Sequence, residues 1–291
     1  MSAISGQSYE FSVILPRAAA EALAVALEEL TAAVGLLDLE PEWKVEAWFE
    51  TPPDKARLDE LIRAANGGQA AEFSMTLLDQ QDWVAKSLAG LKPVRIGPFA
   101  VHGSHESAGF AANLHRIVID AGLAFGTGHH GTTAACLMAL DRHLKQARPE
   151  NVLDLGTGSG LLAIAAAKIL RREIIASDID PMAVEVAAAN AGLNGVAPLL
   201  RPFTASGFHH PEFAARGPFD LILANILAGP LTRLAPDIRR HLCPGGTVIL
   251  SGLLNEQAAR VLAAYRIQNI VPTARIDREG WTTLTLRKAA S

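Results

Sequence analysis

The first 80 residues alternate between segments in which every second residue is apolar and segments with apolar residues three or four positions apart. The first pattern is typical of strands that bury one face, and the second is typical of amphipathic helices. Together they predict three strands and two helices in the order β-α-β-α-β, over residues 8–15, 17–36, 44–50, 53–65 and 72–78. Two further strand segments are expected near 93–101 and 115–120.

That order of elements predicts a small α+β domain of the ferredoxin-like kind in residues 1–80. No catalytic motif occurs in it. Residues 81–121 are expected to form a linker with connecting strands.

From residue 150 onward short apolar runs alternate with helical segments. The predicted strands are 151–155, 174–177, 198–203, 219–224 and 247–250, and helices are predicted over 181–194, 227–241 and 255–265. Residues 267–287 have the pattern of a hairpin with its turn at Arg278-Glu279-Gly280. Strands that alternate with helices form parallel sheets covered on both faces. We therefore predict an α/β domain in residues 122–291, built on a doubly wound, Rossmann-like sheet of seven strands.

Composition narrows the classes of protein that remain. Hydrophobic residues make up 49% and charged residues 19% of the 291 residues, which excludes a disordered chain. The formal net charge of -4 argues against a basic nucleic-acid-binding surface over the whole protein. The two cysteines, Cys136 and Cys243, cannot provide a disulfide framework or a cysteine-rich zinc site.

Other sequence features bear on location and metal binding. The first basic residue is Arg17, and no apolar run reaches the ~20 residues that span a bilayer, so we expect a soluble, cytoplasmic protein without a membrane partner. His102, His105 and His115 lack a further ligand at helical spacing, so no metal site is predicted.

A glycine loop, Gly156-Thr157-Gly158-Ser159-Gly160, joins the first strand of the second domain to its helix. Such a loop lets the backbone turn sharply and approach a ligand, so Gly156 and Gly158 are predicted cofactor-binding residues. The dinucleotide fingerprint would require glycine at position 161, where this chain has Leu161. No Lys-Ser/Thr pair follows, which excludes a phosphate-binding P-loop.

Asp178 follows Gly156 by 22 residues and lies at the end of the second predicted strand. A carboxylate in this place offers two acceptors to the vicinal hydroxyls of a ribose. Asp180 has a different interpretation, because Asp followed by Pro181 is typical of a helix N-cap. A ribose site without a diphosphate site indicates an adenosine with another tail, and S-adenosylmethionine is the commonest such ligand.

Asn225 comes just after the fourth predicted strand, at the edge where open α/β sheets bind ligands. Its side-chain amide is predicted to face the reacting group. The alternative interpretation is a cap on the following helix.

With these elements the chain resembles a class I S-adenosylmethionine-dependent methyltransferase. It resembles most closely the family that methylates the eleventh protein of the large ribosomal subunit. The segment Gly122-Leu123-Ala124-Phe125-Gly126-Thr127-Gly128-His129-His130-Gly131-Thr132-Thr133 is similar to a motif of that family, as are 153–160, 178–181, 225–228, 244–246 and 251–254. By motif the resemblance covers about 93–290. The family often has Pro or Glu at the position of Gly131, and the loop 205–217 has no clear counterpart.

The resemblance implies S-adenosylmethionine as methyl donor, bound at Thr133, Gly156, Asp178 and Asn225, with Asn225 also as the catalytic residue. It implies that the substrate is the ribosomal protein, modified on lysine side chains and on its α-amine, with no direct nucleic-acid partner. Residues 1–80 are then expected to recognise this substrate, and His129 and His130 to shape the loop over the cofactor.

Two alternatives remain open at this point: a lysine methyltransferase for a different protein, and a non-catalytic adenosine-binding docking module. A glutamine methyltransferase is disfavoured, because such enzymes carry Asn-Pro-Pro-Tyr where this chain has Asn225-Ile226-Leu227-Ala228.

Overall fold

The computed structural model describes residues 7–27, 30–31, 33–39, 41–49, 51–79, 93–104, 113–120 and 131–290. The chain divides into two compact units, Met1–Lys86 and Ser87–Ser291, here called unit 1 and unit 2. No helix among the described residues combines the length and the apolar character that crossing a bilayer requires.

Unit 1 is an antiparallel sheet with two helices packed on one face. Its elements are β1 (Gln7–Pro16), α1 (Arg17–Leu27), β2 (Ala33–Asp38), β3 (Glu42–Phe49), α2 (Lys55–Ala65) and β4 (Phe73–Asp79), with the strands in the order β2-β3-β1-β4. Phe11, Val13 and Leu15 alternate along β1 and are buried in the core that the helices cover. The sheet order and the two helices confirm the ferredoxin-like prediction.

The predicted helix over 17–36 is wrong in its second half. Helix α1 ends at Leu27, whose carbonyl accepts the N–H groups of Leu30 and Thr31 in a turn. The chain then forms β2, which pairs with β3 from Ala33 opposite Trp48 to Asp38 opposite Trp43. Helical and strand spacing cannot be told apart in a short apolar run, so the pairing with β3 decides the outcome.

Unit 2 contains a small sheet of three strands, β5 (Val94–Ile96), β6 (Phe99–His102) and β7 (His115–Val118). Ile96, Phe99 and Ile117 from these strands are buried in one core with helix α3 (Gly131–Gln146). The sequence predicted connecting strands near 93–101 and 115–120 within a linker over 81–121, and the structure shows that side chains of these strands contribute to the hydrophobic core of unit 2. Helix α3 was not predicted, because it begins Gly131-Thr132-Thr133, and such residues favour helices weakly. Burial of ten of its residues stabilises it.

The main sheet of unit 2 has seven strands, which confirms the predicted fold class. They are β8 (Val152–Leu155), β9 (Ile174–Asp178), β10 (Leu200–Thr204), β11 (Phe219–Asn225), β12 (Leu242–Leu254), β13 (Ile270–Arg278) and β14 (Trp281–Lys288), in the order β10-β9-β8-β11-β12-β14-β13. The first five are parallel, and β14 and β13 form the predicted antiparallel hairpin.

Helices cover both faces of this sheet. They are α4 (Leu161–Leu170), α5 (Pro181–Leu193), α6 (Pro211–Arg216), α7 (Ala228–His241) and α8 (Ala258–Ile267). Side chains of α3, α4 and α5 share one buried core, and those of α6, α7 and α8 share the other. The carboxyl ends of β8, β9 and β11 meet at one edge, so the residues that follow these strands lie near one another.

Candidate active site

The glycine loop turns over the carboxyl end of β9. Gly156, Gly158 and Gly160 have φ angles of 72°, 53° and 82°, in the left-handed region that favours glycine. The N–H groups of Gly156 and Thr157 both donate to the carbonyl of Ser177, at 2.8 and 2.9 Å. The loop is therefore hydrogen-bonded to the end of the neighbouring strand β9.

Ile226 lies between Gly156 of the glycine loop and Gly252 of β12. A Cβ atom added to Gly156 would be 2.3 Å from Cγ2 of Ile226, and one added to Gly252 would be 2.4 Å from the carbonyl oxygen of Ile226. Only glycine leaves room for this close approach at both positions. Asn225, the predicted catalytic residue, directly precedes Ile226, whose side chain lies against Gly156 and whose backbone lies against Gly252.

Asp178 is half-buried at the end of β9, and its carboxylate accepts hydrogen bonds from two backbone N–H groups. Its Oδ2 accepts the Gly158 N–H at 2.8 Å, and its Oδ1 accepts the Asp180 N–H at 3.1 Å. The sequence predicts that this carboxylate binds a ribose, and what the structure shows is that it holds the glycine loop through the Gly158 N–H. Asp180 caps α5 by accepting the Met182 N–H at 2.9 Å, which confirms its predicted structural role.

Asn225 and Thr133 meet although they are 92 positions apart. Nδ2 of Asn225 donates to Oγ1 of Thr133 at 3.5 Å. Thr133 lies in the first turn of α3 and is buried. Among the predicted site residues, the structure therefore forms two bonded pairs at one sheet edge: Asp178 with Gly158, and Asn225 with Thr133.

Two hydroxyl groups that the sequence did not single out hold the start of α3 against the sheet. Ser251 pairs with Thr283 at 2.7 Å, and its hydroxyl donates to the carbonyl of Thr132 at 3.4 Å. Both hydroxyl residues are fully buried. Ser251 stands opposite Asn225 in the β11–β12 register. Burial raises the pKa of the neighbouring Cys136 thiol to about 12, so this thiol stays neutral and is not a nucleophile.

Asp154 was likewise not predicted as a site residue. It is buried in β8, and its Oδ2 accepts bonds from the Thr157 hydroxyl at 2.7 Å and the Ala163 N–H at 3.0 Å. Burial raises the pKa of Asp154 from 3.8 to about 7, although those two bonds lower it. The carboxyl group therefore holds the glycine loop through Thr157 and the start of α4 through Ala163. With a pKa of about 7, it loses its proton near neutral pH.

Exposed apolar side chains also lie at this edge. Ile179, directly after Asp178, is 71% exposed, and Leu227, two residues after Asn225, is 53% exposed. Each therefore offers an apolar surface beside a polar site residue.

A sequence model of a protein family, described as ribosomal protein L11 methyltransferase (PrmA), matches residues 7–289. The chain belongs to this family. A relative named ribosomal protein L11 methyltransferase, from Bradyrhizobium diazoefficiens, is 53% identical over 248 residues, which is 85% of this chain and 84% of the relative. The protein of the same name from Mesorhizobium japonicum is 54% identical over 211 residues, which is 72% of this chain and 73% of the relative.

A solved structure agrees with these matches. The ribosomal protein L11 methylase of Lactobacillus delbrueckii subsp. bulgaricus is 32% identical, with a TM-score of 0.62, over 67% of this chain and 98% of that chain. The L11 methyltransferase family model begins at residue 7, so it extends the resemblance to unit 1, where the sequence motifs carried little of it. The two alternatives left open by the sequence are not favoured by these matches.

Several predictions within the L11 methyltransferase motifs lie outside the described residues. They concern His129, His130 and the rest of the segment 121–130, and His105 of the histidine group considered for a metal site also lies outside the described residues. At Gly131, a Cβ atom would be 3.1 Å from the Arg278 carbonyl and 3.0 Å from the Glu279 carboxylate, so the hairpin turn occupies the space that a larger residue would need.

The loop 205–217 and the histidine group can be placed in part. The loop contains α6, and its Ala205 N–H donates to the Asp178 carbonyl at 2.8 Å. His102 is buried, with Nδ1 at 2.8 Å from the Gly103 carbonyl. Over the residues that the structure describes, no group of three or more His, Cys, Asp or Glu side chains is arranged to hold a metal ion.

Proposed function

We propose that this chain transfers methyl groups from S-adenosylmethionine to amino groups of ribosomal protein L11. The observation that carries the proposal is the meeting of Asp178, the glycine loop, Asn225 and Thr133 at one edge of the sheet. Membership in the L11 methyltransferase family supports both the reaction and the substrate.

The residues at this edge suit an adenosine ligand. Each oxygen of Asp178 accepts one backbone N–H, and a carboxylate has about four acceptor positions, so two remain for ribose hydroxyls. Ile179 beside it is 71% exposed and offers an apolar surface to one face of a purine. When bound, S-adenosylmethionine supplies a methyl group on a positively charged sulfur.

Asn225 is the residue proposed to orient the attacking amine. Its Nδ2 donates to Thr133, so its Oδ1 is the atom left to accept a hydrogen bond from the amine N–H. That bond would direct the nitrogen lone pair toward the methyl group, and positioning of this kind supplies much of the rate. The amine must be neutral to react. A lysine has an ordinary pKa of ~10.4 and an α-amine one of ~7.7–8, so the α-amine loses its proton to water more readily.

The test of the substrate uses labelled S-adenosylmethionine and large-subunit proteins from cells that lack this enzyme. We expect label on protein L11 and on no other band. Label on a different protein would support the alternative lysine methyltransferase, and the absence of any label would contradict catalysis altogether.

The test of the catalytic role compares two changes at the bonded pair. Asn225→Ala should lower kcat by about 10²-fold or more, because a misplaced amine loses the gain from proximity. Thr133→Ser keeps the hydroxyl and is the matched control, so its kcat should stay close to that of the wild type. A kcat of Asn225→Ala near the wild-type value on L11 would contradict the role.

We further propose that unit 1 recognises the protein substrate. It has its own buried core, which includes Phe11, Leu23 and Ile62. Its described residues contain neither a glycine loop after a parallel strand nor an acid placed for a ribose. Its sheet and helices leave surface for contact with another protein.

A further inference from the structure

Helix α5 lies directly against the glycine loop. A Cβ atom added to Gly160 would be 3.1 Å from both Cα and Cβ of Ala187, so the loop and the helix are in close contact. Asn190 lies three positions further along the same helix, where it shares a face with Ala187. It is 1% exposed, although asparagine is mostly found at protein surfaces.

Both ends of the Asn190 amide are bonded to backbone groups far apart in the sequence. Nδ2 donates to the Ser159 carbonyl of the glycine loop at 2.8 Å. Oδ1 accepts the N–H of Asp120, which follows β7, at 3.2 Å. One side chain therefore connects the glycine loop to the end of the small sheet.

The bond to Ser159 fixes the orientation of a peptide group within the loop. The peptide unit is planar, so the Ser159 carbonyl and the Gly160 N–H point in opposite directions. Asn190 holds the carbonyl end, and the Thr157 carbonyl accepts the Gly160 N–H at 2.9 Å. The residue on the other side of Ser159 is Gly158, whose N–H is held by Asp178. Rotation of this peptide would thus disturb the backbone that faces the ribose-binding carboxylate.

Asn194, one turn further along the chain, provides an internal comparison. Its amide bonds to both backbone groups of Val118, with Oδ1 accepting the N–H at 2.9 Å and Nδ2 donating to the carbonyl at 2.6 Å. It thus attaches the end of β7 to the carboxyl end of α5, and its side-chain hydrogen bonds go to Val118 and to the Asn190 carbonyl, not to the glycine loop.

We propose that Asn190 is a positioning residue for the methyl donor: it orients the Ser159–Gly160 peptide and thereby keeps the glycine loop in its binding conformation. The inference rests on the proposed function, since the loop is taken as the S-adenosylmethionine site. Asn190 itself makes no contact with the reacting atoms. Its replacement is therefore expected to affect binding of the donor and not the chemical step.

The test measures binding and kinetics of the full chain. Calorimetric titration with S-adenosylhomocysteine should give a Kd about 10-fold higher or more for Asn190→Ala than for the wild type, because the Ser159 carbonyl loses its partner. The KM for S-adenosylmethionine should rise by a similar factor, while kcat at saturation changes by less than about 3-fold.

Asn190→Asp separates the two bonds. Its carboxylate has nearly the same size and still accepts the Asp120 N–H, but when ionised it cannot donate to the Ser159 carbonyl. This variant should show the same rise in Kd as Asn190→Ala, and it answers the question if the alanine variant does not fold. Asn194→Ala is the matched control, and its Kd and KM should equal the wild-type values even where its thermal stability falls.

The outcomes distinguish this inference from the proposed function. A wild-type chain that does not bind S-adenosylhomocysteine overturns both. Binding by the wild type with an unchanged Kd and KM in a folded Asn190 variant overturns only the positioning role. Equal losses in the Asn190 and Asn194 variants would also overturn it, since both would then reflect general destabilisation.

A measurement on the wild type needs no substitution. Saturation with S-adenosylhomocysteine should slow amide hydrogen exchange at Asp120 more than at Ile119, whose N–H donates to the His102 carbonyl at 2.9 Å. If the ligand only stabilised the folded chain against global unfolding, exchange would slow equally at both amides. Equal slowing at the two positions would contradict a connection through Asn190.

Discussion

Replacement of Gly156 by alanine perturbs the packing of the glycine loop against Ile226, the residue directly after Asn225. The added methyl group would be 2.3 Å from Cγ2 of Ile226, where carbon atoms normally stay about 3.5–4 Å apart. Ile226 must therefore move by more than an ångström, and Asn225 is attached to it. The backbone at position 156, with φ of 72°, is also unfavourable for alanine.

Two terms contribute to the expected loss of stability of Gly156→Ala. An L-residue in the left-handed region costs roughly 1–2 kcal/mol. An inserted methyl group in a packed site costs a further ~1–3 kcal/mol. Together they predict a decrease of about 2–5 kcal/mol in the free energy of unfolding, and a decrease of about 10²-fold in kcat from displacement of Asn225.

Gly195→Ala is the matched control for this experiment. Gly195 has a similar φ of 66°, but a Cβ atom there would have no other atom within 4 Å. This variant should show only the backbone term of roughly 1–2 kcal/mol, with unchanged kcat. Urea unfolding gives the stabilities, and transfer of labelled methyl groups gives the rates.

A second change, Ile226→Ala, removes the atom that clashes. In the double variant Gly156→Ala/Ile226→Ala, the loss of stability should be smaller than the sum of the two single losses by about 1 kcal/mol or more. A Gly156→Ala variant no more destabilised than Gly195→Ala, or losses of stability at 156 and 226 that simply add, would contradict a close contact between Gly156 and Ile226.

Three further predictions concern the cofactor site, pH and unit 1. Asp178→Asn should weaken S-adenosylhomocysteine binding by about 10-fold or more in calorimetric titration, because an amide offers one oxygen where a carboxylate offers two, and an unchanged affinity would count against the ribose contact. Asp154 has a pKa raised by burial from 3.8 to about 7, so the folded state keeps a proton that the unfolded state releases, and the stability of the wild type falls as pH rises across this range. Asp154→Asn cannot lose that proton, so denaturant unfolding should show its stability rising relative to the wild type by up to about 4 kcal/mol between pH 4 and 7, and a difference that is flat with pH would refute the shift. A shortened chain of residues 87–291 that melts cooperatively should bind S-adenosylhomocysteine as the full chain does but fail to methylate L11, and methylation at the full rate would contradict the role of unit 1.

The sequence alone determined the features that depend on local stereochemistry. The glycine loop at 156–160, the Asp180-Pro181 helix start and the hairpin turn at Glu279-Gly280 were all predicted correctly. Each depends on what a few adjacent residues allow, namely a positive φ, a missing N–H or a short acceptor side chain. The alternation of strands and helices from residue 150 was predicted for the same reason, because periodicity is a local property.

Only the tertiary structure decided the features that depend on distant partners. The run 33–38 became a strand because β3 was available to pair with it, and α3 formed because the sheet buried ten of its residues. No local pattern indicates that Thr133 meets Asn225 or that Asn190 reaches Ser159. The raised pKa of Asp154 likewise comes from burial beneath the glycine loop. The burial and the hydrogen bonds of a side chain depend on residues that are distant in sequence. They are therefore decided only when the strands and helices that carry those residues pack together.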